Sequence, residues 1–251
     1  MVFVRRRGLL GLGLGLGSGL LFLIGGGWHR SAQDAALLRA EPATLLRSAA
    51  LVRYAAARGE PVYRRACASC HGSQRRGDQR RGIPDLTSRH WLYGDDLVGV
   101  ERTVLYGIRS GHPESRNLTD MPALVRSGQI SANEALDAVE YLLLLSGRPA
   151  ERVAAERGRE IYQGKGNCYD CHAGDAAGVM DYGTPALTGP QWLYGGDRTT
   201  LYNSIYNGRH GKCPAHVRTL GAAQARAVAV YLITAPRAQP TDKMESRNSG
   251  G

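Results

Sequence analysis

Cysteine is the residue type through which this chain could do chemistry, and four of its five cysteines stand in two pentads. These are Cys67-Ala68-Ser69-Cys70-His71 and Cys168-Tyr169-Asp170-Cys171-His172. Two thiols three positions apart on a helical turn can each bond a vinyl-derived carbon of one porphyrin, while the imidazole of the next residue reaches the iron. C-x-x-C-H is accordingly the attachment pattern of c-type haem. A structural zinc site would gather the four thiolates on one metal and leave both histidines idle, and a disulfide across so short a loop is strained. The expectation is two covalently bound haem c groups held by Cys67, Cys70, Cys168 and Cys171, with His71 and His172 as axial iron ligands. Cys213 is left over, without a partner for a disulfide.

The chain repeats itself around these pentads. An offset of 101 residues relates Cys67 to Cys168, Gly82-Ile83-Pro84-Asp85-Leu86-Thr87 to Gly183-Thr184-Pro185-Ala186-Leu187-Thr188, and Trp91-Leu92-Tyr93-Gly94 to Trp192-Leu193-Tyr194-Gly195. Gly107-Ile108-Arg109 and Gly208-Arg209-His210 keep the same offset. Met121-Pro122-Ala123 and Cys213-Pro214-Ala215 are related by 92, so the first unit carries nine extra residues around His112 to Asp120. Each unit closes with an apolar-periodic helix, over 132–145 and 222–233. A helix leads into each pentad, with Pro61 suited to a first turn. Another follows each Trp-Leu-Tyr-Gly, capped by Asp95 or Asp96 and by Asp197. No alternating strand pattern of useful length appears, so the fold class is all-α.

The units resemble class I cytochromes c, in which a methionine faces the attachment histidine from a loop before the last helix. That resemblance assigns Met121 to the iron of His71. In the second unit Cys213 stands where methionine belongs, so His172 is paired with Cys213. Neighbouring His210 and His216 are rivals, while Met180 lies too close to His172 to reach the opposite side. A thioether favours Fe(II) and raises the potential, whereas a thiolate donates charge to Fe(III) and lowers it. Electrons would then rest on the first haem. The resemblance also makes the Pro84 and Pro185 carbonyls acceptors for the Nδ1–H of His71 and His172, and sets Leu86 and Leu187 against the porphyrins. Trp91, Tyr93, Trp192 and Tyr194 either wall the pockets, bond propionates or simply pack.

The run Gly-x-Pro-x-Leu-Thr, Trp-Leu-Tyr-Gly, Gly-Ile-Arg-Ser or Asn-Gly-Arg-His-Gly, then Met/Cys-Pro-Ala is similar to subunit III, the dihaem cytochrome c subunit, of cbb-type haem-copper oxidases, from about residue 59 to 235. The resemblance implies an electron-transfer subunit more than a catalyst by itself, with no catalytic residue of its own. It would take electrons from a soluble cytochrome or the bc complex and give them to a terminal oxidase. The chain departs from the family pattern in its bare Gly/Leu N-terminal stretch and in Cys213. A His/Cys-ligated haem also resembles the catalytic centre of thiosulfate dehydrogenases, which makes a dihaem sulfur-oxidising enzyme the alternative.

Gly8 to Gly27 is a twenty-residue stretch without charge, preceded by Arg5-Arg6-Arg7. At 1.5 Å per residue it is long enough to span a bilayer, and the arginines hold the N-terminus in the cytoplasm. A cleaved signal peptide is the competing reading. The organisation expected is a membrane anchor over 1–28, a linker over 29–42, cytochrome c domains over 43–148 and 149–235, and a disordered tail over 236–251. Both domains would lie in the periplasm of a bacterial inner membrane. The net charge of +10 reads as a basic surface for an acidic redox partner or anionic headgroups, with no nucleic acid. The mature polypeptide, isolated from a host able to attach haem, is expected to weigh two haems more than its amino acids; a mass equal to the bare polypeptide would sink this reading.

Overall fold

Apolar spacing and polar caps set out a chain of helices, and the computed structural model describes them over residues 30–88, 91–189 and 192–237. Residues 30–39 are helical. There follow α1 (Pro42–Arg47), α2 (Ala49–Ala66), α3 (Ala68–His71), α4 (Leu97–Tyr106), α5 (Ala132–Leu145), α6 (Arg152–Gln163), α7 (Tyr169–His172), α8 (Arg198–Asn207) and α9 (Ala222–Thr234). Single 3-10 turns occupy Gln79–Arg81 and Met180–Tyr182. Among the described residues β pairing is confined to isolated bridges. The caps are chemical: Asp96 Oδ1 accepts from the Gly99 N–H at 2.8 Å, and Asp197 Oδ1 from that of Thr200 at 3.0 Å. Ser131 and Glu134 bond each other's backbone N–H at the start of α5, satisfying donors that a helix start otherwise leaves orphaned.

One expectation changes. Pro61 does not open a helix: α2 begins twelve residues earlier, capped by Ser48, and Pro61 sits inside it on the exposed side. The buried face of Ala55, Gly59, Val62 and Tyr63 continues past it, so packing outweighs the missing N–H. Residues 30–42, within the expected linker, also pack on the first core. Leu37 and Leu45 are fully buried, and the Arg226 guanidinium donates to the carbonyls of Leu37, Leu38 and Ala40 while pairing with Glu101 at 2.9 Å. Apolar side chains on those turns are held to the core by a cation closing the turn. The expected anchor over 1–28 and the tail beyond residue 237 lie outside the described residues. No described helix is long and apolar enough to cross a membrane.

The helices pack into two bodies that do not follow the two sequence units. α9, the closing helix of the second unit, crosses α2 and contacts α4. α5, the closing helix of the first unit, instead crosses α6 and contacts α8. One apolar core therefore joins Leu37, Leu45, Val62, Tyr63, Leu97 and Val228, and the other joins Leu124, Ile130, Val139, Tyr162, Leu201 and Ile205. Both crossings turn on a glycine. A Cβ on Gly59 would collide with the Ala227 carbonyl, and one on Gly158 with that of Asp137, so these helices meet backbone to backbone. Beside each contact lies a tyrosine pair, Tyr63 with Tyr231 at 5.7 Å between ring centroids and Tyr141 with Tyr162 at 5.4 Å.

The exchange makes the first body discontinuous in sequence. A chain ending at residue 148 keeps the first sequence unit but loses α9, leaving Val62, Tyr63, Leu97 and Val100 without the helix that covers them. Burial of each such side chain is worth roughly 1.5–3 kcal/mol, so this fragment is expected to yield no cooperatively unfolding monomer in denaturant titrations. A sharp two-state transition from a monomer would contradict the exchange.

Candidate haem pockets and their crossed loops

Each attachment segment leaves a long helix and turns back through a short one. Cys67 closes α2 and α3 carries Ala68 to His71; Cys168 precedes α7. Tyr63 Oη donates to the Gly72 carbonyl and Tyr162 Oη to that of Ala173, both at 2.6 Å, tying down the residue after each histidine. Nδ1 of His71 lies 3.2 Å from the Pro84 carbonyl oxygen, and Nδ1 of His172 lies 2.9 Å from that of Pro185. As N–H donors these nitrogens fix the ring and leave Nε2 as the electron-pair donor. Burial lowers the pKa of both histidines against the opposing pull of the proline carbonyls, so both imidazoles are neutral near pH 7, the form a metal binds. Burial also pushes the Cys67 and Cys168 thiols up to about 11 each.

The four pentad cysteines do not converge. Cys67 packs on the first core and Cys168 on the second, which removes the single-zinc alternative. Leu86 and Trp91 join the first core near Cys67, and Leu187 and Trp192 join the second near Cys168.

The loops expected to carry the sixth ligands change places with the closing helices that follow them. Cys213 forms an antiparallel bridge with Ile108, each N–H donating to the other's carbonyl at 2.9 Å. Met121 bridges Arg209 in the same way, at 3.3 and 3.1 Å. Farther along, the His216 N–H reaches the Leu105 carbonyl at 2.9 Å, and the Leu124 N–H reaches that of Ile205 at 3.1 Å. Met121 thus packs on the core that holds Cys168, Leu187 and Trp192. Cys213 lies beside Cys67 and Cys70, and its thiol is pushed up first by burial and then by Cys70. The partnering expected within each unit, Met121 with His71 and Cys213 with His172, is therefore not the one the packing brings together. Repeat alignment matches positions between units but cannot say which copy's loop folds over which histidine.

The glycines after α4 and α8 make this passage possible. Gly107 and Gly208 have φ of 73° and 70°, a region that favours residues without a Cβ. A Cβ on Gly107 would strike the backbone of Cys213 and Pro214, and one on Gly208 that of Met121 and Pro122. The remaining candidates sit elsewhere. The His210 side chain is 53% exposed and faces Asp120 at 3.4 Å, while Met180 is 62% exposed.

Both pockets suit a porphyrin on a feature of the fold itself. Trp91 Nε1 and Trp192 Nε1 are buried, yet neither has a hydrogen-bond partner among the described residues. A buried polar group left unpaired costs on the order of 1–3 kcal/mol, and the carboxylate arm of a haem would satisfy an indole N–H there. Sequence reading overlooked the arginine that follows each closing helix. Arg237 lies over the Trp91 ring, 5.5 Å from its centroid, and donates to Asp95; Arg148 donates to the Gly196 carbonyl beside Trp192. Their matched placement, three residues beyond α5 and α9, was the available clue. Tyr93 and Tyr194 pack across the two units. Each ring covers a glycine of the other unit, Gly183 and Gly82 respectively, so tightly that a Cβ there would overlap it.

The chain matches the family described as cytochrome c oxidase, cbb3-type, subunit III over residues 54–142 and 153–232. It is 36% identical to the cbb3-type cytochrome c oxidase subunit FixP of Bradyrhizobium sp. (strain ORS 278), across 81% of this chain and 69% of that protein. It is 35% identical to the corresponding subunit CcoP of Cereibacter sphaeroides, across 72% of this chain and 61% of that protein. These relatives are oxidase subunits, which corrects the sulfur-oxidising alternative. With one C-x-x-C-H pentad inside each of the two matched spans, this chain belongs to the cbb3-type cytochrome c oxidase subunit III family, whose cofactor is a pair of covalently bound haem c groups.

Proposed function

We propose that this chain is the dihaem electron-transfer subunit of a cbb3-type terminal oxidase, and that its irons are ligated crosswise: His71 with Cys213, and His172 with Met121. The observation that carries the crosswise assignment is the Ile108–Cys213 bridge, which sets Cys213 beside the Cys67–Cys70 segment. When bound, haem supplies reversible one-electron exchange between Fe(III) and Fe(II). The polypeptide holds each ring through two cysteines, orients each histidine through a proline carbonyl, and excludes water with the two apolar cores. Cys213, protonated in its buried setting, would release its proton on binding iron as a thiolate. Thiolate stabilises the ferric state and thioether the ferrous, so the electron would rest on the haem of Cys168 and Cys171. This reverses the order expected from sequence.

The donor in this reading is a soluble cytochrome or the bc complex, and the acceptor is the oxygen-reducing subunit. The apolar stretch 8–27 would anchor the chain in the bacterial inner membrane with both bodies in the periplasm. Affinity isolation from detergent-solubilised membranes of the native host is expected to bring down a haem-copper oxidase subunit; isolation of the chain alone, under conditions that keep other respiratory complexes intact, would count against assembly. Ferric EPR tests the crosswise ligation. A low-spin thiolate signature is expected in the holoprotein, lost in Cys213→Met and lost again in Cys67→Ala/Cys70→Ala, which cannot hold the first haem. Its survival in that double variant would assign the thiolate to the other haem.

A further inference from the structure

The two attachment segments share their spacing and differ in charge. Residues 64–81 hold six arginines against one aspartate, whereas the aligned residues 165–182 hold one lysine against three aspartates. Arg64, Arg65, Arg76, Arg80 and Arg81 are exposed. The single aspartate, Asp78, accepts from the backbone N–H groups of Arg80 and Arg81. Arg64 is paired with Glu60 at 2.6 Å. Among the described residues, Arg65, Arg76, Arg80 and Arg81 have no carboxylate partner. In the second segment Asp170, Asp175 and Asp181 are exposed.

The exchange of closing helices widens this contrast, because it brings Lys212, Arg218, Arg226 and Arg237 to the first body. Residues 30–118 together with 210–237 contain nineteen Lys and Arg against nine Asp and Glu; residues 119–209 contain eight against eleven. The first body is thus strongly basic and the second mildly acidic. The basic segment also has the more open attachment edge: Cys70 is exposed, while Cys171 is partly covered.

We propose that the exposed arginines flanking Cys67–His71 form the docking face for an acidic redox protein, with the acidic second body turned away from that partner. The inference rests on the electron-carrier reading and adds the face and the charge of the partner. An anionic bilayer would respond to the same charges, but Arg65, Arg76, Arg80 and Arg81 flank Cys70, the exposed attachment cysteine, and a protein partner must sit close to an attached haem to exchange electrons. Exposed ion pairs contribute little affinity one by one. A cluster of one sign instead orients the encounter and speeds it, and salt screens the effect.

Flavodoxin, a small acidic flavin protein, serves as the probe, and its oxidised form is titrated into the full-length ferric holoprotein in neutral detergent. Its Kd is expected to rise at least about tenfold between about 20 mM and about 200 mM salt. At low salt, Arg76→Glu/Arg80→Glu/Arg81→Glu is expected to weaken binding about tenfold or more, while Asp175→Lys/Asp181→Lys does not weaken it. An unaltered Soret band certifies the haem pockets of both variants. Unchanged affinity in the arginine variant would overturn the proposal. So would loss of phosphatidylserine-vesicle binding by that variant with flavodoxin binding intact, which would make the patch a membrane contact. Failure of dithionite to reduce either haem would count against the carrier reading instead, and is read independently of the titration.

Discussion

The exchange of backbone hydrogen bonds between Ile108 and Cys213, and between Met121 and Arg209, is the constraint on which the rest of the structure depends. Each bridge passes a loop of one sequence unit over the end of a helix from the other, at a glycine with no Cβ to obstruct it. The helix after each loop follows it to the other unit: α9 closes over α2, and α5 over α6.

Two consequences follow for the chemistry. The first body is assembled from both ends of the described chain, so the pocket around Cys67 and His71 is complete only after residues 210–237 have been made. The second body is continuous from 119 to 209, with its closing helix first. The loops that carry Met121 and Cys213 likewise lie against the opposite copy of the repeat, Met121 on the core that holds Cys168 and Cys213 against Ile108 of the first unit. Reciprocal packing of Tyr93 on Gly183 and Tyr194 on Gly82 adds a second contact of the same symmetry, and Gln79 Nε2 reaches the Trp192 carbonyl at 2.7 Å. The two attachment regions therefore touch each other through side chains and backbone.

Charge follows the same rearrangement. Arginines that look scattered along the sequence fall largely on one body, and the carboxylates fall more heavily on the other. Some of the basic residues on the first body are structural: Arg226 closes the 30–39 helix, Arg237 covers Trp91, and Arg75 is buried over Tyr231 with one guanidinium nitrogen donating to the Pro236 carbonyl. Arg65, Arg76, Arg80 and Arg81, which have no carboxylate partner among the described residues, lie by the attachment segment, so net charge there is a property of the surface around a site and not of composition alone.

Much of the site was legible in the residues because thioether attachment demands a fixed local pattern. Cys-x-x-Cys-His, the Pro-x-Leu after it, the aspartate caps and the apolar period of the closing helices are all short-range, and each appears where its spacing puts it. The Gly-x-x-x-Tyr run of Gly59 to Tyr63 and its copy, Gly158 to Tyr162, were equally available as the mark of a close helix crossing. The pairing of helices and loops was not legible. Two copies of one repeat present the same apolar faces and the same bridging backbone, so sequence alone leaves closure within a unit and closure across units nearly degenerate. The Ile108–Cys213 and Met121–Arg209 bridges, with the close backbone approach that Gly107 and Gly208 allow, mark closure across units, and these are contacts between residues about a hundred positions apart, which only the tertiary structure contains.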